Sequence, residues 1–262
     1  MDQLTQPDIE RLRADLDQHG FTVLRGVVDR DGLAALNRTL VDAYRNGPKF
    51  EGGGSITGHL NCYPGHAARF VYETIVERGI ADAIVGMRPN RANDIRATLN
   101  FNLPGSVAQH WHMDGLYTED FLVCNIAVVD TNLDNGAMDV LPGTNREYMP
   151  FWKYAARRRY KRSMRVPMAA GDVLLRRSTL WHRGMPNRTA APRPLMSLTF
   201  GEASAPSSDP FSIGTDPEFF PNWYSTSRAG QLRERLFVKA PISYSAFRLA
   251  KSLTGKRGYD KY

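Results

Sequence analysis

The chain has 262 residues, 42% of them hydrophobic and 23% charged, which excludes wholesale disorder and suffices for a sizeable core. Thirty-four basic residues against 27 acidic ones give a net charge of +7, which admits anionic partners; the excess is spread thinly and gives no strong nucleic-acid signal. No run of the roughly 20 apolar residues a membrane span needs is present, and Cys62 and Cys124 are too few for a disulfide framework.

The N-terminal stretch is charged from its second residue and carries no apolar signal segment, so a cytoplasmic protein is expected. Ile9, Leu12 and Leu16 follow Pro7 at helical spacing, and Gly20 is placed to end that helix. Residues 21–28 read as a strand. Leu33, Leu36, Leu40, Val41 and Tyr44 mark a second amphipathic helix closed by Gly47-Pro48. Residues 51–65 form a glycine-rich loop, which is either a mobile surface loop or an active-site lid carrying His59, Asn61 and Tyr63. Its Gly52-Gly53-Gly54-Ser55 run lacks the Gly-Lys-Ser/Thr of a phosphate loop. A third helix is predicted over 67–85.

From residue 94 the texture changes to short strands and turns. Strands are predicted at 94–103, 109–114, 121–129, 137–141, 164–167, 172–177, 181–183 and 194–201, separated by turns such as Asp134-Asn135-Gly136 and Pro142-Gly143. This spacing, with few helices between strands, predicts a mainly β fold with flanking helices, a jelly roll or barrel. Residues 203–225 read as a covering loop whose Phe219, Phe220, Trp223 and Tyr224 either pack in the core or wall a substrate site. Residues 226–254 are partly helical. The expected organisation is one domain over 1–262: helices at 7–86, a β core at 94–202 and an extension at 203–262. The basic strip 157–165 and the tail 251–261 are solvated faces or partner surfaces.

The chemistry concentrates in Gln109-His110-Trp111-His112-Met113-Asp114. Alternate residues of a strand share a face, so His112 and Asp114 point together while Trp111 and Met113 point to the other side. His182, on a later predicted strand, can supply a third ligand. Two imidazoles and one carboxylate on one face of a metal suit a non-haem Fe(II) oxygenase, although a lone His-x-Asp is more often structural. A cupin-type set pairing His110 with His112 lacks its following glutamate, since 116–118 read Leu-Tyr-Thr.

The surroundings of these residues resemble the phytanoyl-CoA dioxygenase family of Fe(II)- and 2-oxoglutarate-dependent oxygenases over roughly residues 8–202. The matching pieces are Pro104-Gly105 with 109–114; Asn135-Gly136-Ala137-Met138 leading to Leu141-Pro142-Gly143-Thr144; Gly171-Asp172-Val173; and His182-Arg183-Gly184 with Pro186-Asn187 and Arg193. The resemblance implies a double-stranded β-helix (jelly roll) in which His112, Asp114 and His182 hold Fe(II). It also implies that Arg193, eleven residues after His182, clamps the far carboxylate of 2-oxoglutarate, with Asn100 and Gln109 in the co-substrate pocket. Oxidation of a small molecule by O2 would accompany formation of succinate and CO2. Two departures stand out: Thr144-Asn145 replace the family's Ser-His, and Gly184 replaces a hydroxyl residue. Asp114 is retained, which argues against halogenation.

Arg188 competes with Arg193 for the carboxylate, because either guanidinium could bind it in bidentate fashion. Arg193 opens a predicted strand whose inward set is Arg193, Leu195, Ser197 and Thr199, whereas Arg188 lies in a turn. Thr98, Asn100, Asn102 and Asn125 face either the barrel or solvent. His110, His59, Asn61, Tyr63 and Trp223 are candidate contacts to a small-molecule substrate with polar or anionic groups.

Overall fold

A computed structural model describes residues 3–49, 54–87, 95–201, 209–220 and 227–254. The N-terminal helix α1 (Gln6–Gln18) starts where the Thr5 backbone N–H and hydroxyl both donate to Asp8 Oδ2, at 3.0 and 2.6 Å. It buries Leu12 and Leu16. Strand β1 (Phe21–Leu24) leads to α2 (Arg30–Asn46), capped by the Asp29 carboxylate accepting from Gly32 N at 2.7 Å. Leu33, Leu36 and Leu40 form its buried stripe.

Two sequence expectations are corrected in the next segment. Much of the stretch expected as a loop at 51–65 is ordered secondary structure: a short helix α3 (Gly54–Thr57) and strand β2 (His59–Tyr63). The strand's backbone groups find partners on both sides, in the strands before and after it in the sheet. The single helix expected at 67–85 is split into α4 (Arg69–Glu77) and α5 (Ile80–Met87), because Gly79 between them has φ +73°.

The β core follows: β3 (Ile95–Asn102), β4 (Leu122–Ala127), β5 (Met138–Val140), helix α6 (Phe151–Ala156), β6 (Met164–Val166), β7 (Val173–Arg177), β8 (His182–Arg183) and β9 (Arg193–Phe200). A last strand, β10 (Glu218–Phe220), precedes helices α7 (Arg228–Lys239) and α8 (Pro241–Thr254). The strands form an antiparallel seven-stranded sheet in the order β1-β7-β4-β9-β3-β2-β10 and a three-stranded sheet β6-β5-β8. This is the jelly roll with flanking helices that the sequence predicts. The expected strand at 109–114 reduces to one bridge between His112 and His182.

One face of the large sheet packs against the N-terminal helices: Leu99, Phe101, Cys124, Leu175 and Leu198 join Leu12, Leu33 and Val71 in one buried cluster. The alternate residues face inward, where a cavity of about 670 Å³ lies between the sheets and under α7 and α8. Phe219 settles in the main core beside Tyr44 and Phe101, while Phe220 reaches the cavity. Among the described residues no helix is long and apolar enough to cross a membrane.

Candidate metal centre

Four side chains build the frame. The Asp172 carboxylate accepts from Gly26 N at 2.9 Å, Ala169 N at 2.9 Å and Arg25 Nη1 at 2.6 Å, locking the turn that starts β7. The Thr144 hydroxyl donates to Leu141 O and accepts from Trp181 N, fixing the chain just before His182. Asn145 donates to Leu16 O and so closes the C-terminus of α1. Asn187 is fully buried and braces the turn between β8 and β9 through Asn102 O, Ala191 O and Thr189, which sets the offset from His182 to Arg193.

His112 and His182 exchange backbone hydrogen bonds in both directions, at 3.1 and 3.0 Å, and Asp114 N donates to Ser178 O. The two imidazole centroids lie 4.4 Å apart. Each ring is oriented by a carbonyl two residues earlier: His112 Nδ1 pairs with His110 O at 2.8 Å, and His182 Nδ1 with Leu180 O at 3.0 Å. With Nδ1–H committed to a carbonyl, each ring presents the Nε2 lone pair as its ligand atom. Both Nε2 atoms converge on Asp114 Oδ1, at 3.7 Å for His112 and 3.3 Å for His182. Such a group could hold a metal ion, and its one-carboxylate, two-imidazole donor set fits iron(II). Trp111 and Met113 pack with Leu141, Phe151, Tyr154 and Trp181, so the alternation expected from the sequence holds without a regular strand.

Electrostatics favour a ligating protonation state. Burial, with His182 next, pulls the His112 pKa down to about 3, so its imidazole is neutral. Burial pushes the Asp114 carboxyl up, but the Arg176 guanidinium and the neighbouring histidines outweigh it and hold the group well below the usual carboxylate range. Arg176 escaped the sequence reading. It is 3% exposed, donates through Nη2 to Asp114 Oδ2 and through Nε to Asn125 Oδ1 at 2.7 Å, and leaves Asp114 Oδ1 to the histidines. Nothing in the sequence singles it out: Arg177 follows it at the end of β7, and its partner Asp114 is remote in the chain.

Arg193 is buried, and burial pulls its pKa down to about 10. Its Nη2 donates to Gly136 O at 3.1 Å, while Nε and Nη1 have no partner and no carboxylate of the described residues meets it. Gly136 is required there: its φ is +90°, and a Cβ would approach Met185 O to 2.4 Å. A buried guanidinium with two idle donors fits the far carboxylate of a 2-oxo-dicarboxylate. The alternative, Arg188, is exposed.

The remaining candidates divide. Asn100, Asn61, Gln109 and His110 line the cavity, as do Thr98, Asn125, Leu195, Ser197 and Thr199, so the polar faces of β3 and β9 look inward rather than to solvent. Gln109 Oε1 accepts from Gly184 N at 2.8 Å. His59, expected on a lid, is fully buried, with Nε2 2.8 Å from Val107 O and Nδ1 3.4 Å from Asn100 Oδ1; burial and then Arg193 lower its pKa to about 4. Tyr63, also expected at the substrate, is corrected: it packs in the main core and its hydroxyl donates to Gly214 O. Trp223 lies outside the described residues. His110 stacks on Tyr244 with centroids 3.5 Å apart and sits 3.5 Å from Glu234, which ties α7 and α8 to the metal-bearing segment.

A family model described as phytanoyl-CoA dioxygenase (PhyH) matches residues 16–195. The chain is similar in structure to the epimerase SnoN solved in complex with Fe3+, alpha ketoglutarate and nogalamycin RO: 19% identity, TM-score 0.60, covering 82% of this chain and 94% of that one. EvdO2 from Micromonospora carbonacea var. aurantiaca, complexed with 2-oxoglutarate, matches at 20% identity and TM-score 0.57, covering 80% and 97%. EctD from S. alaskensis, in its apoform, matches at 18% identity and TM-score 0.59, covering 81% and 84%.

Proposed function

Because the chain belongs to the phytanoyl-CoA dioxygenase family of iron- and 2-oxoglutarate-dependent oxygenases, we propose that it oxidises a C–H bond of a small molecule, by hydroxylation, in secondary metabolism. The observation that carries this reading is the convergence of His112 Nε2, His182 Nε2 and Asp114 Oδ1 on the cavity that β9 lines, with the half-paired Arg193 at the start of that strand. On this reading His112, Asp114 and His182 hold the iron and Arg193 holds 2-oxoglutarate, with Asn100 beside it. Gln109 positions the turn at Gly184. Iron(II), when bound, supplies oxygen activation coupled to decarboxylation of 2-oxoglutarate to succinate and CO2.

The chain's own residues do the rest. Arg176 holds the Asp114 carboxylate ionised and turned so that one oxygen faces the imidazoles. The carbonyls of His110 and Leu180 fix the ring orientations. Helices α7 and α8 roof the cavity through Glu234, Phe237, Tyr244 and Phe247, which limits access of water to it. A cavity of about 670 Å³ beneath these helices supports a small molecule rather than a nucleic acid or a protein side chain. We take the whole chain, 1–262, to work as one domain, since the C-terminal helices help to build the site. A screen of small metabolites for substrate-stimulated succinate release tests the reading. Release stimulated by a polynucleotide or a peptide instead would overturn the substrate class.

A further inference from the structure

Arg176 does more than hold Asp114. Its side chain is almost completely buried and lines the cavity, with Nη2 given to Asp114 and Nε to Asn125, while Nη1 has no partner. Asn125 is itself committed, donating to Ser197 Oγ at 2.7 Å, so the guanidinium is fixed in place. A buried cationic donor left unpaired is destabilising unless a ligand completes it. Arg176 also stands apart from Arg193. In the register of the large sheet it faces Val123, which faces Thr199, which faces Arg96; Arg193 faces Asn102. Thr199 lies six residues beyond Arg193 on β9, a rise of about 20 Å. One end of the inward face thus carries Arg193 with His59, and the other carries Arg176 with Arg96.

The charge of the cavity agrees. Among the described residues its lining includes Arg96, Arg176, Arg233 and Lys251 against two carboxylates, Asp114 and Glu234, and Asp114 is already paired. We propose that Arg176 Nη1 is the anchor for a carboxylate of the primary substrate, which makes that substrate a small organic acid bound beside the metal ligands. The inference rests on the proposed 2-oxoglutarate chemistry of the same site. A carboxylate placed there would complete the guanidinium and be held at a fixed distance from the metal, which orients the rest of the molecule for attack at one position.

The test uses full-length protein loaded with Ni(II) as a redox-inert substitute and saturated with 2-oxoglutarate. Benzoate and its neutral isostere benzamide are titrated by calorimetry into the wild type, Arg176→Lys and Arg176→Gln, and 2-oxoglutarate is titrated separately into each and into Arg193→Gln. Wild type should bind benzoate at least about tenfold more tightly than benzamide, as expected for a charge-assisted hydrogen bond. Arg176→Lys should retain part of that preference and Arg176→Gln none. 2-Oxoglutarate affinity should fall at least about tenfold in Arg193→Gln, and in the wild type benzoate affinity should agree within about threefold between Ni(II) protein with and without saturating 2-oxoglutarate. Equal binding of benzoate and benzamide by the wild type, or a preference that survives in Arg176→Gln, overturns the proposal. So does displacement of benzoate by 2-oxoglutarate in the wild type, which would give this carboxylate site to the co-substrate. Should Arg176→Gln fail to hold metal, a crystal structure of the wild-type benzoate complex decides: the carboxylate at Nη1 supports the anchor, and the carboxylate elsewhere overturns it. Failure of the wild type to bind 2-oxoglutarate in a metal-dependent way would sink the proposed function itself, a separate outcome.

Discussion

A Cβ added to Gly184 would lie 2.7 Å from His59 Cε1 and 2.8 Å from Gln109 Oε1. This contact gives a physical reason for the glycine two residues after His182, where related sequences carry a hydroxyl residue. The imidazole of His59 occupies the space that a side chain at 184 would need. Gly184→Ser should therefore destabilise the protein by roughly 1–3 kcal/mol, the usual range for overpacking. In a His59→Ala background the same serine should be nearly neutral. Urea unfolding midpoints of the four proteins in this cycle check it.

Burial also makes His59 an acid-sensitive element. Its pKa is about 4 in the folded chain against 6.5 when exposed, so folding favours the neutral ring. That stabilisation is complete above pH 6.5, declines as pH falls from 6.5 to 4, and is gone below 4. The shift is worth on the order of 3 kcal/mol. His59→Gln, which cannot take up a proton, should show a shallower fall of unfolding free energy across that window. Equal slopes for variant and wild type would mean that the ring is already protonated, or solvated, in the fold.

The two arginines near the end of the β core should separate cleanly in steady-state kinetics. Removing one partner of a buried ion pair typically costs about 3–5 kcal/mol, so Arg193→Ala should raise the KM for 2-oxoglutarate by two orders of magnitude or more. Arg188 is exposed and contributes only a backbone N–H to Asp134 O, so Arg188→Ala should leave that KM near the wild-type value.

Much of this centre was legible in the chain itself. The i, i+2 spacing of His112 and Asp114 places them on one side even though the segment makes only a single bridge, because alternation needs extended backbone and not a full ladder. The inward run Arg193-Leu195-Ser197-Thr199 was legible for the same reason. His59 and Tyr63 were misplaced because the glycines before them read as a loop, whereas pairing with β3 and β10, remote in sequence, makes the segment a strand. Arg176 was invisible: its role exists only because β7 passes beside Asp114, 62 residues earlier in the chain. The roof of α7 and α8 was likewise hidden, since the apolar stripe of a helix does not say which surface it will cover.

That roof predicts an uncoupling phenotype. Tyr244 stacks on His110, whose carbonyl orients the His112 ring. An aromatic pair of this kind is worth about 0.5–1.5 kcal/mol, so Tyr244→Ala should loosen the helices without unfolding the core. The expected result is more 2-oxoglutarate consumed per molecule of oxidised product, with metal content unchanged. Comparing succinate with product in single reactions measures it, and an unchanged ratio would remove α8 from the account.

The central claim is that His112, Asp114 and His182 together hold the iron on which 2-oxoglutarate binds. Anaerobic equilibrium dialysis with Fe(II), with and without 2-oxoglutarate, measures it directly in the wild type and in His112→Ala, Asp114→Ala and His182→Ala, with circular dichroism confirming that each variant is folded. The wild type should hold one Fe(II) per chain and take up 2-oxoglutarate only when iron is present, while each folded variant should lose the iron or bind it at least about a hundredfold more weakly. Wild-type iron binding retained in any one of the three variants would contradict the ligand assignment.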